Sequence, residues 1–164
     1  MSTAYSAGDW TDLFVASAGA SAALTGLLFV AVSLNIQDIL KNDGLPSRAL
    51  QTLLLLLSAV VISLVGLIPG QSATALGVEL LIFGLIFGVW VLVLAARAMP
   101  HTRQYVHPLF HFSFVVPGTL PQVLGAVSLM IGSGGGLYWI VGGVIGALLG
   151  ASINAWVLLV EILR

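Results

Sequence analysis

What most constrains this chain is a set of long apolar runs that charge hardly interrupts. Residues 10–36, 48–68, 73–96 and 137–163 form four such runs. About 20 apolar residues, at 1.5 Å rise per residue as helix, cover the roughly 30 Å hydrocarbon core of a bilayer. The runs therefore predict membrane-spanning helices. Composition agrees: 59% of the 164 residues are apolar and only 7% are charged, whereas soluble domains are roughly one quarter charged. So few polar groups cannot cover a water-soluble fold, and lipid has to be the solvent for most of the surface.

The stretch between the third and fourth runs decides the topology. Residues 118–131 would span only about 21 Å as helix, too short to cross alone. Extended back through "FHFSFVV" they become a span over residues 110–131, kinked at Pro117 and Gly118. Backbone groups freed by a proline in a membrane helix are met by neighbouring helices or water. The expectation is an all-α polytopic membrane protein of five transmembrane helices in one domain.

Charge placement supports that count. With five spans, Lys41, Arg48, Arg97, Arg103 and Arg164 all fall on one side, and the turns "PGQSA" and "GSGGG" hold no basic residue. The positive-inside bias then places the N-terminus outside and the C-terminus in the cytoplasm. Trp10, Tyr138 and Trp139 sit at outer ends, and Trp90 and Trp156 toward inner ends, as an interfacial aromatic belt requires. The opening "MSTAYSAGDW" lacks the positive region of a secretory signal, so the first run is expected to be a retained span.

Several function classes are disfavoured. The net charge is −1 and no basic run exists, which argues against a nucleic-acid partner. With no cysteine, disulfides and thiolate chemistry are ruled out. No span holds an acidic pair, and "GSGGG" lacks the lysine of a phosphate-binding loop. The chain is expected to be no enzyme and to carry no cofactor.

What the sequence does supply is closeness. In "ASAGASAALTG", residues 16–26, only Leu24 has a side chain larger than Thr. Ala18, Ala22 and Gly26 form one row, and Ser17, Ser21 and Thr25 another. In lipid, helices associate by close packing and interhelical hydrogen bonds, which small residues permit. Small residues on every face predict a central first helix that touches several others. Gly142, Gly146, Gly150 and Asn154 repeat the device in the last span, and Gly84 and Gly88 in the third. The rows either pack one monomer or face another subunit; their presence on three of five helices favours a homo-oligomer.

Polar residues at membrane depth are the other candidates. Glu79 lies about 9 Å below the start of the third helix, where a carboxylate is costly and usually paired. It is expected to be protonated, to accept from hydroxyls such as Ser17, Ser21, Ser63 or Ser128, to meet water or a cation, or to snorkel to the interface. Asn154 suits a hydrogen bond across a helix contact. Gln122 shares a polar and small face with Gly118, Gly125 and Ser128 on the proline-bearing helix, a place where transporters bind substrates. His107 and His111, at i and i+4 if Pro108 opens a helix, have the spacing of two metal or haem ligands.

The stretches "AGASAALTGLLFVAVSLN", "LPSRA" and "NAWVLLVEILR" resemble a group of small multi-span bacterial inner-membrane proteins, some of them labelled modulators of a membrane-bound ATP-dependent protease. That resemblance implies a multi-pass protein of the bacterial inner membrane that docks on a larger membrane complex. It brings no functional residues with it. Three functions are thus expected in turn: an accessory or modulatory subunit that associates through small-residue faces, a homo-oligomeric channel or transporter for protons or small cations, and a metal or haem protein.

Overall fold

The computed structural model describes residues 3–41, 44–98 and 108–162, with side chains described over 3–41, 44–97 and 116–160. All regular structure among them is helical. Two short 3-10 turns, Thr3–Tyr5 and Ala7–Trp10, lead into α1 (Thr11–Leu34). A brief α2 (Ile36–Lys41) precedes α3 (Leu45–Gly66), α4 (Ala73–Ala98), α5 (Pro108–Ile131) and α6 (Leu137–Ile162). Segments Ala7–Leu34, Leu45–Gly66, Ala73–Arg97 and Leu137–Val160 are long and apolar enough to cross a membrane.

The predicted boundaries of the long runs lie within a few residues of these helices, because the turns that end them are strongly encoded. Pro46 sits in the first turn of α3, where its missing N–H costs no intrahelical bond. At the end of α5, Gly132 adopts φ 73°, and the N–H groups of Gly132 and Ser133 both donate to the Ser128 carbonyl. This is a glycine-terminated helix end, a conformation that a Cβ would strain. The Ser128 hydroxyl then donates to the Ser133 carbonyl and accepts from the Gly136 N–H, so one side chain ties residues 133 and 136 of the "GSGGG" turn together.

Each long helix runs back along the long helix before it, so residues 3–10, the turn at Pro69 and Gly70, and the loop 132–136 gather at one end, here the proximal end. There Trp10 and Tyr138 meet edge to face at 4.8 Å, and the Tyr5 hydroxyl accepts from the Gly135 N–H. Helices α3, α4, α5 and α6 form a ring in which each packs on the next and α6 closes against α3. The core lies within it, at Leu55, Ala59, Ile62, Leu80, Leu129, Ile140 and Ala147. Helix α1 stands outside this ring, packed on α3 and barely touching α6.

That placement corrects one expectation: the central helix is α3, not α1. Of the most apolar 18-residue window of each, 61% is buried in α3 and 17% in α1. The reason is polarity. Arg48, Gln51, Thr52, Ser58 and Ser63, all on α3, are buried, and polar groups in a lipid-facing helix would be costly. On α1, Ser21 is the one polar side chain fully inside, and it faces α3.

The expected fourth span corresponds to α5. It remains helical through Pro117 and Pro121, without a break at Gly118, and its apolar described part is Val116–Ile131.

Candidate functional site

The small residues divide into three groups by what surrounds them. The tightest contact is between α5 and α6. A Cβ on Gly146 would run into the Pro117 carbonyl oxygen, and one on Gly118 would come within 3.0 Å of the Ala147 Cα and the Leu55 side chain. Pro121 has no N–H, so the Pro117 carbonyl lacks its helical donor four residues on. The bare Gly146 backbone lies against that oxygen, a close approach of the kind at which Cα–H contacts form between helices. One turn along, a Cβ on Gly143 would lie 2.5 Å from Gln122 Cγ. Gly150 is buried as well. Gly142, by contrast, is exposed, and a Cβ there would meet nothing within 4 Å.

On α4, Gly84 and Gly88 are buried against α5 but roomy. Cβ atoms there would meet Val123 and Thr119 side-chain atoms at 3.9 Å, an ordinary contact. The tight glycine of α4 is Gly77, which sequence spacing did not single out. A Cβ on it would approach Met130 Cγ at 2.8 Å and the Ala126 carbonyl at 2.9 Å.

Helix α1 forms the third group. Its Phe14 ring presses on Gly66 of α3, and Ser21 and Leu28 follow on the same buried stripe. Away from that stripe, Ala18 is half-buried, while Gly19, Ala22, Ala23 and Gly26 are exposed. Cβ atoms on Gly19 and Gly26 would meet nothing within 4 Å. Beside this open face an apolar groove of about 310 Å³ runs between α1 and α6, floored by Leu28 and Leu56 and edged by Ala151, Ala155 and Trp156.

The polar candidates sit on separate seams. Glu79, half-buried on α4, accepts at 2.6 Å from the side-chain amide of Gln71 in the turn before that helix. None of the expected hydroxyls is this donor: Ser128 is committed to its own loop, and the Ser21 and Ser63 hydroxyls are buried without a partner. Gln71 reaches Glu79 from the turn before α4, at the proximal end of the bundle. Asn154 donates to the Thr52 hydroxyl, which itself donates to the Arg48 carbonyl, joining α6 to α3. Gln122 is 1% exposed between α5 and α6, with its amide nitrogen unpartnered.

Glu79, Gln122 and Asn154 therefore stand at three levels of the bundle, and none bonds to another. His107 and the His111 side chain lie outside the described residues. Among the described residues, no group of three His, Cys, Asp or Glu side chains could hold a metal ion. Comparisons of the chain with protein-family models, with curated proteins and with solved structures return no match.

Proposed function

We propose that this chain is an integral membrane accessory protein that works by helix–helix association, and that it self-associates through the open small-residue face of α1. One observation carries the reading. Where Gly118, Gly143 and Gly146 line α5 and α6, another helix fills the space they leave, with Gly142 the exposed exception. On α1, by contrast, Gly19, Ala22, Ala23 and Gly26 are all exposed, and a Cβ on Gly19 or Gly26 would meet nothing within 4 Å. Small residues in a lipid-facing helix contribute little contact to lipid, and a second backbone brought close gains dispersion contact along its length. A second copy presenting the same face forms a two-fold, self-complementary contact, the commonest symmetry of oligomers.

The distribution of charge and aromatic residues supports membrane placement with the N-terminus outside. Among the described residues, the proximal end carries Asp9, Asp12 and Glu79, while Lys41, Arg48 and Arg97 stand toward the distal end. Trp10, Tyr138 and Trp139 mark one interface and Trp90 and Trp156 the other. With α5 counted as a crossing, the bundle is a five-span protein of the bacterial inner membrane with a cytoplasmic C-terminus. Docking on a larger membrane complex uses the same face or the α1–α6 groove.

The chain lacks cysteine, so single introduced thiols report contacts without background. Gly26→Cys in membranes is expected to form a disulfide-linked dimer on mild oxidation. Gly84→Cys, inside the bundle, is expected to form none. Absence of dimer at Gly26→Cys, Ala22→Cys and Gly19→Cys alike would refute self-association through α1.

A further inference from the structure

At the proximal end, an open cleft of about 1150 Å³ lies between residues 5–11, the turn joining α3 to α4, and the end of α5. Its polar lining comes from Tyr5, Ser6, Thr11, Gln71, Ser72 and Thr74. Its volume suits a small molecule or a lipid headgroup.

Glu79 is not on this lining but is bonded to Gln71, which is, and the chemistry of the pair is one-sided. Gln71 spends its amide N–H on the Glu79 carboxylate at 2.6 Å, and its amide oxygen is buried with no donor. Two strong acceptors, one of them a carboxylate, thus lie together. Among the described residues, no Lys, Arg or His stands at this end, which carries Asp9, Asp12 and Glu79. An anionic ligand would meet like charge and surplus acceptors. A positively charged ligand bearing several N–H donors meets its complement, and the surrounding field concentrates it.

We infer that the cleft binds a primary ammonium group, R–NH3+, at Gln71 and Glu79. The ammonium displaces the Gln71 amide from the carboxylate, and rotation of that amide brings its oxygen onto a second ammonium N–H. A free alkylamine and the headgroup of an ethanolamine phospholipid share this chemistry. A quaternary ammonium, having no N–H, does not satisfy the amide oxygen.

The test is calorimetric titration of the purified full chain with propylammonium and with tetramethylammonium, in wild type, Glu79→Gln and Gln71→Leu. Saturable binding of propylammonium is expected, at least tenfold tighter than tetramethylammonium and weakened at least tenfold in each variant. Thermal melts of the variants establish that they are folded, and either folded variant suffices. Native mass measurement in lipid discs separates the sources. Retained ethanolamine lipid that is lost in the variant assigns the headgroup, and its absence alongside propylammonium binding assigns the free amine. No saturable binding, equal affinity for tetramethylammonium, or affinity unchanged in both folded variants would overturn the inference.

Discussion

Helices α1 and α6 are built from similar material and end in opposite situations. Both carry glycines and alanines along most of their length, yet Gly146 of α6 lies against the α5 backbone, and Gly26 of α1 faces open space. The difference arises in the neighbours. Helix α6 is held between α5 and the polar helix α3, with Asn154 tying it to Thr52. Helix α1 packs on α3 along one stripe and barely touches α6. Small residues thus confer the capacity for close contact, and the polar groups of the surrounding helices decide where inside the monomer that capacity is used.

Substitutions on the two helices break the comparison apart in a graded way. The largest effect is expected for Gly146→Leu. Its side chain would have to displace the α5 backbone at Pro117, and small-to-large changes in a filled core already cost about 1–3 kcal/mol without a backbone clash. Loss of at least about 3 kcal/mol, read as failure to fold or a sharp fall in melting temperature in detergent, is the expected result.

Gly143→Ala and Gly77→Ala add one methyl against Gln122 and against the Ala126 carbonyl, and each should destabilise by about 1–3 kcal/mol. Asn154→Leu removes the bond to Thr52 while leaving the Thr52 hydroxyl bonded to the Arg48 carbonyl. Its cost should be about 1 kcal/mol, in the range of interhelical hydrogen bonds in membranes. Gly84→Ala, with 3.9 Å to its neighbour, should lie within about 1 kcal/mol of wild type, on the stabilising side because alanine favours helix. Denaturant or thermal titration of the four proteins checks both the order and the spacing. A Gly84→Ala protein as damaged as Gly143→Ala would erase the distinction between tight and roomy glycines.

The helical segments were legible because long apolar runs bounded by Pro and Gly admit few alternatives; "PGQS" and "GSGGG" become turns as expected. The faces were harder. A row spaced by four advances about 40° around a helix of 3.6 residues per turn at each step. Gly142, Gly146, Gly150 and Asn154 therefore sweep about 120° from first to last. One neighbour cannot cover such an arc, so Gly142 emerges outside, Gly146 meets α5, and Asn154 meets α3. The residue that completes the α5 contact, Gly143, falls between the rows.

In α1 the small residues surround the helix, so no periodic signal marks its covered side. Centrality was written instead in α3, whose Gln51, Thr52, Ser58 and Ser63 recur along the whole helix and must all turn inward. Glu79 was found as a candidate, but its donor was not: Gln71 lies in a turn, where reach depends on the path of the backbone rather than on spacing along a helix.

The separation of roles between α6 and α1 is tested most directly by Gly26→Leu. Native mass is measured for this variant and for wild type in lipid discs, with melting temperature measured alongside. The expected result is an oligomeric wild type, a variant shifted to monomer, and little change in melting temperature, since residue 26 is exposed and a Cβ there would meet nothing within 4 Å. A monomeric wild type, or a Gly26→Leu protein with an unaltered oligomer mass, would contradict it.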